Sequence, residues 1–225
     1  MNRVHIIVEG QTEETFVCEV LAPALRKRNV HPSACLIGEG GHKGGDVSYT
    51  RARHDVVRLL KGDRSAYCTT MFDFFRLSPE FPRKAIVGPP STASKASMVE
   101  EAFFEDIAET LGDSWVPCRF IPYIQMHEFE GLLFSDTAAF ARGIYRPDLM
   151  SALTRIREPF ETPEDIDDGP ETAPSKRILV LHPGYDKVAW GTLAALEIGL
   201  EAIRRECPHF AQWLARLESL GGVGG

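Results

Sequence analysis

Val4-His5-Ile6-Ile7-Val8-Glu9-Gly10-Gln11-Thr12-Glu13-Glu14 is an apolar, β-branched run that ends on a carboxylate and passes at once into a helix start. Val4 to Val8 is short and apolar, as a strand covered on both faces should be. Gly10 permits the sharp exit and Thr12 can cap the helix. Glu13 and Glu14 fall in its first turn, where the helix dipole favours negative charge. Glu9 is left at the carboxyl end of a strand, the edge at which open α/β sheets bind ligands. A merely solvated strand-end residue would carry the same local signature.

The rest of the chain bounds what such a site could serve. Its 225 residues, 44% hydrophobic and 25% charged, suffice for one full core. The expectation is a single α/β domain over residues 1–220, with a helical carboxyl-terminal lobe at about 145–220 and a disordered glycine-rich tail at 221–225. No apolar run approaches the roughly 20 residues of a membrane span, and Met1-Asn2-Arg3 leads straight into the first strand. Cys18, Cys35, Cys68, Cys118 and Cys207 are odd in number, scattered and never paired as CxxC, so no disulfide framework or zinc ribbon is indicated. These features point to a cytoplasmic protein without membrane contact.

Net charge is −7, against a generally sticky nucleic-acid binder, but residues 1–100 carry 14 Lys and Arg against 11 Asp and Glu. The remaining residues carry 11 against 21. A nuclease could hold phosphates with the basic half and metal with acidic residues, and a solvated acidic lobe would account for the asymmetry equally well.

Glu13 to Arg28 has helical periodicity through Phe16, Val20, Leu21 and Leu25, and Ser33 to Ile37 reads as a second strand. The strand-helix-strand unit should then be parallel, with a right-handed crossover. Gly38 to Gly45 has five glycines in eight residues and one lysine, Lys43, but lacks the GxxxxGK[ST] pattern of a Walker loop. It could grip a substrate or serve as a hinge. The helix expected at Tyr49 to Lys61 presents Arg51, Arg58 and Lys61 and is the best candidate for a nucleic-acid-facing surface.

Ala66 to Phe75 is rich in strand formers and passes through Asp73, whose context resembles that of Glu9. Parallel strands carrying a carboxylate near one edge bring both acids together, which is costly unless a cation or proton separates them. That is the physical case for Mg²⁺ or Mn²⁺, which prefer carboxylate oxygens. A long helix is expected at Ser91 to Leu111, then a strand at Arg119 to Ile124 that Pro122 confines to an edge, bulges or breaks. Glu128, Glu130 and Asp136 follow; if that stretch is helical, His127 and Glu130 share a face and Glu128 points elsewhere. No HExxH occurs, so a third carboxylate for the Glu9–Asp73 pair is the better reading than a zinc protease. Pro159 to Pro174 reads as a surface excursion. Lys176, before Ile178 to Leu181, could neutralise charge developing on a phosphoryl group, or be a surface lysine at a helix start.

Glu9-Gly10-Gln11-Thr12-Glu13, Thr70 to Phe75, His127-Glu128-Phe129-Glu130 with Leu132 to Asp136, and Glu171-Thr172-Ala173-Pro174-Ser175-Lys176-Arg177 together resemble an uncharacterised bacterial family grouped with Toprim-like proteins. The resemblance runs from Val4 to about Leu217. It implies a Toprim-like, mainly parallel sheet, the core shared by topoisomerases, primases and overcoming-lysogenization-defect nucleases. In those proteins a Glu after the first strand and an Asp-x-Asp after a later one bind Mg²⁺ and act on phosphodiesters. It also implies a phage-defence setting with an ATPase partner. One position departs: Asp73-Phe74-Phe75 stands where the Asp-x-Asp would fall. The resulting expectation is a metal-dependent nuclease in which Glu9, Asp73 and one or two of Glu128, Glu130 and Asp136 hold Mg²⁺ or Mn²⁺ and Lys176 assists catalysis on DNA or RNA. The alternative is a non-catalytic effector or sensor that binds an ATPase or a nucleotide.

Overall fold

The computed structural model of the protein describes residues 2–38, 47–85, 92–112, 116–166, 169 and 171–222. Its centre is a parallel sheet of β1 (Asn2–Val8), β2 (Val30–Leu36), β3 (Tyr67–Asp73), β4 (Phe120–Ile121) and β5 (Ile124–Gln125). The order is β2-β1-β3-β4, with β5 paired farther along β3. Both faces are covered, which is why Val4 to Val8 reads as a nearly unbroken apolar run. Val4, Ile6 and Val8 pack on one side and Ile7 on the other, the alternation a strand imposes. This is the α/β, parallel arrangement expected from the sequence.

The helix after β1 is not uninterrupted. α1 (Gln11–Phe16) widens into a π turn at Val17–Leu21 before α2 (Ala22–Arg26). Pro23 lacks an N–H and its ring would crowd a carbonyl one turn back, and the wide turn relieves that conflict. α3 (Tyr49–Gly62) and α4 (Thr92–Leu111) cover the opposite face, through Ala52, Val56, Leu60, Ala96, Val99, Phe103 and Ile107. Pro122 splits the last strand in two, and the Thr70 hydroxyl replaces the missing ladder by donating to Tyr123 O (2.9 Å) and accepting from Tyr123 N (3.0 Å).

The remaining elements are α5 (Thr137–Gly143), α6 (Met150–Arg157), α7 (Pro174–Leu181), α8 (Lys187–Ile198), α9 (Leu200–Glu206) and α10 (Pro208–Ser219). Leu153, Ile178, Ala194, Ile203, Phe210 and Trp213 share one core with β1 and α1, so this lobe packs directly on the sheet. The expected surface excursion is partly interior. Glu164 is buried and accepts the N–H groups of His209 (2.9 Å) and Phe210 (2.9 Å), which closes the amino end of α10. Gly221 and Gly222 are ordered into the turn that ends α10, donating to Glu218 O and Ser219 O; residues 223–225 of the expected tail lie outside the described residues.

α5 and α8 are in close contact at Gly143, where a Cβ would meet Ala194 Cα at 2.6 Å, a backbone atom that cannot swing aside. Gly143→Ala is therefore expected to destabilise the protein by about 1–3 kcal/mol through overpacking, read as a lower urea midpoint at unchanged slope. An unchanged midpoint would mean that the helices part at no cost.

Candidate functional site: a carboxylate and lysine cleft

The helix after β1 packs on one face of the sheet and α4, the helix after β3, packs on the other. Chains that leave neighbouring parallel strands for opposite faces open a crevice at the strands' carboxyl ends. Glu9 follows β1 and Asp73 ends β3, and five residues of each strand are directly paired, so both carboxylates reach that crevice. Asp73 N donates to Glu9 Oε1 at 2.5 Å. Glu13 turns back from the first helical turn and accepts from Gly10 N at 3.1 Å. The cleft, about 140 Å³, is lined by these three acids with Gly10, Thr12, Arg76 and Lys187.

The acids are crowded and dry. Burial, reinforced by Glu13, pushes the Glu9 carboxyl from 4.5 up to about 8. Burial and then Glu9, Glu13 and Glu130 hold Asp73 well above the usual carboxylate range. Asp73 Oδ1 is buried without a hydrogen-bond partner among the described residues. Such an atom is rare in a folded protein and marks a place prepared for something else.

Lys187 opens α8 and stands 2.9 Å from Glu130 Oε1 and 4.0 Å from Glu128 Oε1. Burial works to lower its ammonium pKa, but Glu130 and Glu128 outweigh burial and raise it. Glu128 is fixed in turn by Ser175 N, which donates to its Oε2 at 3.0 Å. The stretch around these acids is not the helix the sequence suggested. His127 has φ 58°, Glu128 is extended and a 3₁₀ turn runs over Phe129–Ser135, so Glu128 and Glu130 meet on one lysine instead of pointing apart.

Other expected site residues lie elsewhere. Asp136 caps α5 by accepting from Ala139 N (2.9 Å), which consumes its carboxylate locally. Lys176 is exposed on α7, does not line the cleft, and makes no side-chain hydrogen bond or ion pair among the described residues. The cation facing the acids is Lys187. Phe75 is 48% exposed and does not plug the acidic group.

Arg51, Arg58 and Lys61 form one exposed stripe of α3. α3 returns antiparallel to the strands, so Arg51 lies toward the cleft's edge of the sheet and Lys61 roughly 15 Å away along the helix axis. Lys43 and most of its glycine-rich loop lie outside the described residues.

Glu13, Arg76 and Lys187 were not singled out from sequence. Lys187 had one usable signal: a cation in the first turn of a helix opposes the dipole and calls for a local reason. A larger cleft, about 350 Å³, opens between α4 and α10, but its buried pair is fully employed. Glu100 Oε1 accepts from His209 Nε2 (2.8 Å) and Ile124 N (2.8 Å), tying α10 to the sheet edge.

One prediction follows from the raised Glu9 pKa. The folded state retains a proton there that the unfolded chain releases near 4.5, so this carboxyl favours the fold below 4.5 and that contribution is lost as pH rises through about 8. In chelator, wild-type protein should lose melting temperature between pH 5 and 8 more steeply than Glu9→Gln. Parallel profiles would refute the burial of an acid at this position.

Fold and cleft define an α/β protein with an acidic ligand crevice at the switch point of a parallel sheet, opposed by a lysine from its helical lobe. Residues 8–218 match the sequence profile of DUF4276, a domain of unknown function, and the chain belongs to that family. No curated protein matches it. The solved C-terminal region of the OLD protein of Xanthomonas campestris pv. campestris aligns over 98% of this chain and 96% of its own, at 16% identity and TM-score 0.44. At that level the likeness carries no argument about chemistry. No helix among the described residues is long and apolar enough to cross a membrane.

Proposed function

We propose that the protein is a metal-dependent nuclease of the Toprim type that cleaves nucleic-acid phosphodiesters in the Glu9–Asp73 cleft. The observation that carries this reading is the buried, unpartnered Asp73 Oδ1 beside Glu9, in a crevice that Lys187 and Arg76 also line. Glu9, Glu13 and Asp73 line the crevice and Glu128 and Glu130 hold its lysine, so five acids meet two cations, an imbalance that protons or a divalent ion must relieve.

The donor set fits Mg²⁺ or Mn²⁺, since all donors are carboxylate oxygens and one is unused. Among the described residues no three acidic, histidine or cysteine side chains already converge as ligands. Glu9 and Asp73, with Glu13 beside them, would therefore hold an ion that keeps several waters, as Mg²⁺ commonly does. A bound ion there would lower the pKa of a water and act as a Lewis acid on a phosphoryl oxygen. Lys187 and Arg76 place positive charge beside the acids, where a phosphodiester entering the cleft would gain negative charge on its oxygens. The exposed Arg51, Arg58 and Lys61 are the candidate duplex or strand contacts. The resemblance further suggests an ATPase partner in phage defence.

A second reading, a non-catalytic sensor or effector subunit, draws on two specific features: no ligand triad is preformed among the described residues, and Phe75 replaces the second acid.

Labelled DNA and RNA incubated with Mn²⁺ or Mg²⁺, with and without an ATPase partner, test the choice. Cleavage that Glu9→Gln abolishes supports the nuclease. Its absence under every condition favours the second reading. Binding should weaken linearly with salt on a log–log plot, and each of Arg51→Ala, Arg58→Ala and Lys61→Ala should reduce the slope by roughly one. A slope that these variants leave untouched would remove α3 from the interface.

A further inference from the structure

Thr12 lines the acid cleft with 8% of its surface exposed, and its hydroxyl makes no hydrogen bond among the described residues. Its place in the helix explains why. Gly10 takes the N-cap position, so Thr12 falls at the second helical residue and does not cap α1 as the sequence suggested. Within a helix a threonine can spend its hydroxyl on the carbonyl four residues back, as Thr15, Thr110, Thr154 and Thr192 do at 2.6–2.9 Å. The carbonyl four residues before Thr12 is that of Val8, which ends β1 and accepts from Ile37 N at 2.9 Å. The acids of the cleft do not take the hydroxyl either: Glu9 and Glu13 accept backbone N–H groups, and Asp73 Oδ1 accepts nothing.

The threonine methyl has a place of its own. A Cβ on Gly191 would lie 3.9 Å from Thr12 Cγ2, 3.5 Å from Phe129 Cε1 and 3.1 Å from Tyr185 Oη, so α8 passes the methyl side of Thr12 with no side chain between. Methyl and hydroxyl diverge from one Cβ, and a β-branched side chain is stiff at χ1, so this contact fixes where the hydroxyl points. Unlike Tyr185 Oη and Asp73 Oδ1, the hydroxyl is not sealed from solvent. For a residue this buried, the opening is the cleft it lines.

We infer that Thr12 is a substrate-binding residue whose hydroxyl donates to a non-bridging phosphoryl oxygen in the cleft. Lys187 and Arg76 line the same space, so the oxygen that arrives there belongs to an anion. A stiff donor with no partner to give up meets that oxygen without rearrangement, which is preorganisation. The inference deepens the proposed phosphodiester site, and its test reads binding, so the two can fail separately.

The test compares Thr12→Val, which keeps the shape and loses the hydroxyl, with Thr12→Ser, which keeps the hydroxyl and loses the methyl. Calorimetry with inorganic phosphate in Mg²⁺ should show Thr12→Val binding roughly tenfold to a hundredfold more weakly, the loss expected for a hydrogen bond to a charged group, and Thr12→Ser within about threefold of wild type. Stability should rank the other way. Thr12→Val should melt at or above the wild-type temperature, and Thr12→Ser about 2–4 °C below it through the lost methyl contact. Mn²⁺ affinity without phosphate should be unchanged in Thr12→Val, in contrast to Asp73→Asn. Undiminished phosphate affinity in Thr12→Val, or affinity that falls with stability in Thr12→Ser instead, would overturn the inference, as would a wild type that binds no phosphate. If the phosphate pattern holds and no nucleic acid is cleaved, the nuclease reading fails and the Thr12 contact stands; if Thr12→Val cleaves at the wild-type rate and affinity, the nuclease stands and the Thr12 contact falls.

Discussion

Asp73→Asn is expected to abolish Mn²⁺ binding measured by calorimetry, and with it any metal-dependent cleavage by roughly a hundredfold or more. The substitution keeps size and shape but replaces a carboxyl group, one of whose oxygens is buried with no partner of its own, by an amide that cannot ionise to meet a cation. The backbone N–H that Asp73 donates to Glu9 is untouched, so the cleft should keep its form. Stability should move the other way. Asp73 is held mainly neutral by burial and by Glu9, and replacing it with a neutral amide should leave the melting temperature unchanged or higher above neutral pH in chelator. Loss of binding with retained or increased stability is the signature of a residue kept for function at a cost to the fold. Full Mn²⁺ affinity in Asp73→Asn would remove the metal from this cleft. A large loss of stability would instead make Asp73 a structural acid.

Lys187→Met is the second large expected effect, with two separable consequences. Removing the ammonium leaves Glu130 and Glu128 buried without their counter-charge, worth about 3–5 kcal/mol for a fully buried pair. Because the Lys187 side chain is 36% exposed, screening reduces the expectation to about 2–3 kcal/mol. Cleavage should also be lost. Adding Glu130→Gln should restore most of the stability and none of the cleavage, since it removes the stranded charge without returning a cation. If activity returned with stability, Lys187 would be scaffold alone. Lys176→Met, on the exposed face of α7, should shift stability by no more than about 0.5 kcal/mol and leave cleavage unchanged. The reverse ranking of the two lysines would overturn the assignment.

The acids from the strands were legible in the sequence, and the residues that oppose them were not. A β-branched apolar run ending in Glu9, and a second ending in Asp73, identify two strands. Helical connections between strands make them parallel and bring their carboxyl ends to one edge, so a shared edge for Glu9 and Asp73 follows from local pattern, and the direct pairing of β1 with β3 makes them neighbours there. The break at Pro122 was equally readable, because a proline cannot donate to the ladder.

Glu128 and Glu130 were misplaced because helical spacing puts i and i+2 on different sides. The left-handed turn at His127 and the extended backbone at Glu128 cancel that rule, and such a turn is held by surrounding packing. The acidic excursion hid a buried cap, Glu164, since only the docking of α10 tells a solvated Glu from one that closes a helix end. The choice between Lys176 and Lys187 lay furthest from sequence. Both occupy the first turn of a short helix in the same lobe, and no local pattern distinguishes them. α8 packs against α1, bringing Lys187 to the Glu9 edge and Tyr185 behind it, while α7 leaves Lys176 in solvent. The strands and the parallel direction that puts their acids at one edge follow from periodicity and connection length within the chain; the strand order and the cation the acids meet are set by packing between distant segments, which sequence spacing does not encode.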